Sequence, residues 1–139
     1  MSSRDIQNQI DNLNAKINTY KDNISELETM KTDIGNEKSS ISTDISNWNS
    51  LYDMSADNKW KGNCLDMAES YQDAITTDCT TVFSTIDTTI SDMDTIIGKF
   101  QDKISACRSS IASLEIDLAN ARAAEAAAAA AQAMAKIGG

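Results

Sequence analysis

The sequence predicts an all-α fold: a long antiparallel helical hairpin, coiled-coil-like, with helix 2 longer than helix 1. Three observations predict it. There is no proline and only five glycines in 139 residues. Apolar residues recur at helical spacing on both sides of a single break. The break is too short for anything but a reversal. Aromatic residues are only 5% of the chain, which argues against a mixed globular core.

Helix 1 is expected over about 4–54. Its apolar positions step by three and four, which is a heptad repeat. Ile10, Ile17, Ile24, Ile45 and Tyr52 form the a series; Ile6, Leu13, Tyr20, Leu27, Ile34, Ile41 and Trp48 form the d series. Lys31 and Lys38 break the a series. Ser2, with Asp5 three residues later, marks the start as a capping pair. Trp48 on the d line reads as core.

The break is "ADNKWKGN", with the turn expected over about 55–62. Helix 2 follows over about 63–135, with Asn63 and Asp66 as its capping pair. Its stripe is expected to run Ala68, Tyr71, Ile75, Cys79, Val82, Ile86, Ile90 in eleven-residue steps. Met93, Ile97, Phe100, Ile104, Cys107, Ile111, Leu114 and Leu118 then return to heptads. A turn centred near residue 59 faces Lys31 towards Asp87 and Lys38 towards Asp78. The same register ends the pairing near residue 113, so the single hairpin domain, 1–139, carries an overhanging, alanine-rich end over about 114–139. Ile111, Leu114, Leu118 and Ala121 would then be an interface for a partner helix, either another helical protein or a second copy.

The net charge of −9 opposes phosphate backbones and anionic membranes, so neither nucleic acid nor membrane insertion is expected. No run of about 18 apolar residues exists, and "MSSRDIQNQIDNLNAK" has no signal-peptide core, so the expected location is the cytoplasm. The three cysteines are odd in number, and Cys64 and Cys79 on one helix would stand about 22 Å apart, beyond disulfide reach. They read as small apolar filler or as thiols of a reducing compartment. With no histidine, no nucleophile elbow and no phosphate loop, no enzyme activity, metal or cofactor is expected. Residues 69–94 hold threonines and acids but no basic residue: a solvated face, or an acidic face for a basic partner. Ala119–Ala135 reads as a solvated helix end or as a close-packing surface.

A helix, a short turn spelling W-x-G as Trp60-Lys61-Gly62, and a second helix resemble the W-x-G superfamily of type VII (ESX) secretion proteins. The long heptad arms and the "RSSIASLEIDLANARAA" segment look most like its YwqH-like branch, which in Gram-positive bacteria accompanies LXG toxins. The resemblance implies that Trp60 and Gly62 close the turn and touch the export machinery or a partner. Secreted members carry Y-x-x-x-[DE]; here Tyr20, Tyr52 and Tyr71 are followed four residues later by Ile24, Ala56 and Ile75. The nearest related form is Phe83 with Asp87. The missing tag fits a protein co-exported with, or chaperoning, a tagged partner. The expectation is therefore a non-enzymatic adaptor for the helical N-terminal domain of an LXG toxin, or for another small W-x-G-like helical protein. The alternative is a self-associating coiled coil, a homodimeric four-helix rod unrelated to secretion.

Overall fold

The structure, a computed structural model, describes residues 1–51 and 61–138, apart from the side chain of Leu51. Two helices account for nearly all of them: α1, Ser3–Leu51, of 49 residues, and α2, Gly62–Gly138, of 77. Segments of α1 and α2 pack antiparallel, as expected of a hairpin whose second helix is the longer. Residues 52–54 of the expected first helix, including Tyr52, and residues 55–60 of the expected turn lie outside the described residues. The chain divides into two units, Met1–Ser25 with Ile97–Gly139, and Glu26–Ile96.

In the first unit the start of α1 is a reciprocal cap. Ser2 Oγ accepts from the Asp5 amide at 3.2 Å and donates to Asp5 Oδ2 at 2.7 Å, and Asp5 Oδ2 accepts from the Ser2 amide at 3.2 Å. These bonds, chiefly from the Ser2 side chain, hold the Asp5 carboxyl below its ordinary value. The heptad positions then turn inward. Among the described residues six side chains are buried, Ile6, Ile10, Ile17, Ile97, Ile104 and Leu118, at 4–6% exposure, and all six belong to this unit. Ile6, Ile10 and Leu118 form one cluster, with Ile111, Leu114 and Ala121 packed against it. Further along, the Tyr20 and Phe100 rings stack tilted at 5.7 Å, with Lys103 Nζ 5.6 Å and 5.9 Å from their centroids.

These contacts correct the expected overhang. Ile111, Leu114, Leu118 and Ala121 are covered by α1 of their own chain, and the Ser3 pairing with Glu125 carries the contact a dozen residues past 113. The physical reason is that a slip of seven residues leaves every a and d position facing inward, so periodicity alone does not choose the register. Burial does: covering Leu114 and Leu118 contributes about 1.5–3 kcal/mol for each full burial, which the expected register forgoes.

The second unit is built differently. Lys38 Nζ pairs with Asp87 Oδ1 at 2.6 Å, and Lys31 pairs with Asp94 and, at 3.6 Å, with Glu28. The lysines do sit beside acids, but Asp94 and Asp87 replace the expected Asp87 and Asp78. The hydrogen bond to Asp94 raises the Lys31 pKa above its ordinary value. On α2 the inward line is Leu65, Ala68, Gln72, Thr76, Cys79, Phe83, Ile86, Ile90 and Met93, all half-buried. Tyr71, Ile75 and Val82, expected on that line, are 65%, 49% and 51% exposed. Adjacent apolar residues compete for one inward place, and the larger Phe83 ring takes it over Val82, with Lys38 Nζ 5.9 Å from its centroid. Gln72 is held by Asn49 Oδ1 at 3.3 Å, and Thr76 Oγ1 donates to the Gln72 carbonyl at 3.0 Å.

No described residue of this unit is buried. Its threonines bond back to their own helix: Thr76, Thr80, Thr81, Thr85, Thr88, Thr89 and Thr95 each donate to the carbonyl four residues earlier. Such bonds satisfy the hydroxyl without adding packing, and β-branching lowers helix propensity.

Two outcomes follow from the register. Leu118→Ala should cost about 2–3 kcal/mol in urea unfolding, while the exposed Ile116→Ala stays within about 0.5 kcal/mol. Lys31→Asp and Asp94→Lys should each lower the melting temperature and the double exchange should restore it; exchanging Lys31 with Asp87 should not.

Candidate functional site

Gly62 opens α2 with φ of 61°, in the left-handed region where a Cβ costs about 1–2 kcal/mol. A helix that begins immediately after a left-handed residue changes direction sharply, and glycine is the residue that permits it. Trp60, its expected companion, lies outside the described residues.

Phe83 and Asp87, the nearest approach to an export tag, are both engaged within the second unit. The ring lies on the inward line, and the carboxylate accepts the Lys38 ammonium. Neither is displayed as a free linear motif. Ile111, Leu114, Leu118 and Ala121 lie together but in the core of the first unit.

What α2 does leave uncovered is its end. Every residue over 122–138 is exposed, including Met134 at 71% and Ile137 at 83%. The helix nonetheless continues to Gly138, as an alanine tract favours. Reasoning from sequence missed how this tract is tied down. Glu125 Oε1 accepts the Ser3 amide at 2.9 Å, Glu125 Oε2 accepts the Ser3 hydroxyl at 2.7 Å, and Arg122 Nη2 donates to Gln7 Oε1 at 3.2 Å. Glu125 thus caps the amino end of α1 from the other helix, where unpaired amides and the helix dipole favour an anion. The available signal was a lone carboxylate three residues after a lone arginine, inside an alanine run.

The backbone and hydroxyl bonds from Ser3, with help from Arg122, hold the Glu125 carboxyl below its ordinary 4.5. Among the described residues no group of His, Cys, Asp and Glu is placed to hold a metal, and no helix is long and apolar enough to cross a membrane. Cys64 is an exposed free thiol; Cys79 and Cys107 are half-buried on the inward line.

Compared with protein-family models, curated proteins and solved structures, the chain matches none.

Gly62→Ala should lower stability by about 1 kcal/mol, since its added methyl meets open space and only the backbone is strained. Gly98→Ala, inside α2 with no atom within 4 Å of the new Cβ, should raise it by about 0.5–1 kcal/mol. Because the folded-state pKa of Glu125 lies below the unfolded value, its contribution is complete above 4.5 and is lost as pH falls through the folded value. Melting temperatures of the wild type should therefore fall more steeply below that pH than those of Glu125→Gln.

Proposed function

We propose that this protein is a non-enzymatic adaptor or targeting chaperone of a type VII secretion system, binding the helical N-terminal domain of an LXG toxin. The observation that carries the reading is the W-x-G spelling at the one break between two heptad-bearing helices, with a left-handed Gly62 opening the second. Supporting it are the helical hairpin itself, the scarcity of catalytic residue types, and apolar side chains in the second unit that two helices leave half-exposed. Partner binding is helix against helix, with apolar anchors supplying affinity. The chain acts in the cytoplasm or leaves it with its tagged partner.

The same exposed side chains also favour the second reading, a homodimeric four-helix rod with no role in secretion. A monomer that co-purifies with a co-expressed LXG N-terminal domain, and reaches the culture supernatant only when the motor ATPase is intact, is the expected outcome. A stable dimer that ignores that domain and stays in the cell in both strains would establish the rod.

A further inference from the structure

The ion pairs of the second unit distinguish its two flanks. Lys31 and Lys38 lie on the a line of α1, and Asp87 and Asp94 each follow an inward residue of α2, Ile86 and Met93, by one position. The flank defined by these pairs is polar. The opposite flank is formed by residues that precede one inward line of each helix by one: Met30, Glu37 and Asp44 on α1, and Ile75, Val82, Thr89 and Ile96 on α2, apolar but for Thr89 on the second helix. Because the helices run antiparallel, these two sets lie side by side along the same edge of the pair.

Flanking positions of a solvated coiled coil are ordinarily charged. Here Met30, Ile75, Val82 and Ile96 are 49%, 49%, 51% and 42% exposed, and Ile41 beside them, at 38%, is more exposed than a core d position should be. Tyr71, four residues before Ile75, continues the line at 65%. A row of this length on one edge exceeds the scattered apolar exposure of ordinary surfaces.

Every charged residue on the rim of the row is acidic; Ser40, Asn47 and Thr85 are its uncharged members. Besides Glu37 and Asp44, the next position outward holds Glu26 and Asp33 on α1 and Asp78 and Asp92 on α2. None of these pairs with a basic side chain among the described residues, and among the described residues of the two helices this edge of the unit carries no lysine or arginine; Lys31 and Lys38 are engaged by acids, Asp94 and Asp87, of the other flank. An occupant must therefore bring an apolar stripe and positive charge together.

We infer that this edge is a docking groove for one amphipathic helix whose apolar stripe is bordered by lysine or arginine. The inference rests on the adaptor reading in taking that helix from another protein. A second copy fits poorly. Groove against groove would set acid rim against acid rim. The basic residues of the first unit, such as Lys16, Lys21 and Arg108, accompany no exposed apolar row of that unit, since its large exposed apolar side chains are the dispersed Met1, Ile116, Met134 and Ile137.

The test is fluorescence anisotropy of the full chain with two synthetic helical peptides, one leucine stripe bordered by lysines and the same stripe bordered by glutamates. The lysine peptide should bind saturably and the glutamate peptide at least roughly tenfold more weakly. Ile75→Glu/Val82→Glu should lose the lysine peptide by roughly tenfold or more, although it makes the protein more acidic. Ser42→Glu/Thr80→Glu, adding equal charge to the polar flank, should retain it. Ile41→Glu, on the other helix, is the independent variant if the α2 pair perturbs folding by circular dichroism. Equal binding by the two peptides, no binding, or equal loss in the two double variants overturns the groove. So does sedimentation showing a dimer of the chain alone that Ile75→Glu/Val82→Glu dissolves. An LXG domain that still co-purifies with Ile75→Glu/Val82→Glu would also overturn the groove while leaving the adaptor reading intact. Groove binding without motor-dependent export would do the reverse.

Discussion

Two helices can cover only one stripe on each other. Each residue of that stripe meets the facing helix, while residues a quarter-turn away meet water, and no third element is present among the described residues to cover them. This limit explains why the best-covered side chains here remain 4–6% exposed. Everything else about the protein depends on which residues are allotted to that one stripe. In the first unit the allotment is apolar, from Ile6 to Ile17 on one helix and from Ile97 to Leu118 on the other. In the second, Lys31, Lys38, Gln72 and Thr76 occupy inward places, and the strength of packing falls accordingly.

The two compositions have different consequences. A lysine on the inward line is tolerated because its stem packs while its ammonium reaches an acid at the edge. Such pairs add little stability when solvated, but they favour one register, since a slip of one heptad in either direction leaves only one of the two lysines opposite an acid, Lys31 opposite Asp87 or Lys38 opposite Asp94. The apolar cluster supplies stability and the lysines supply alignment. The polar second unit then leaves its spare apolar residues exposed on one edge.

Much of this was legible in the sequence. The all-α hairpin, the heptads of α1 and the cap at Ser2 and Asp5 follow from spacing and residue type alone. The register did not, because heptad periodicity is unchanged by a seven-residue slip, and the tie is broken by the burial of Leu114 and Leu118 together with particular contacts such as Ser3 with Glu125. The inward line over 71–83 differs from the sequence expectation for a related reason: Val82 and Phe83 are neighbours, as are Ile75 and Thr76, and hydrophobicity favours Ile75 where continuity of the heptad favours Thr76. The exposed edge is illegible for the same reason, since Ile75 and Val82 fit a core line by hydrophobicity alone. Gly62 was legible as a turn glycine because positive φ admits few other residues.

The apolar face of the first half of α1, at Ile6 and Ile10, is covered by the far half of α2 from the same chain. The direct measurement is a methyl NOE experiment on a sample mixing two differently labelled populations of the protein, so that contacts within and between chains separate. Cross-peaks from Ile6 and Ile10 to Leu118 are expected within one chain, unchanged on dilution. Cross-peaks from Ile10 to Ile104 in their place, or contacts to Leu118 that arise only between chains, would contradict that arrangement.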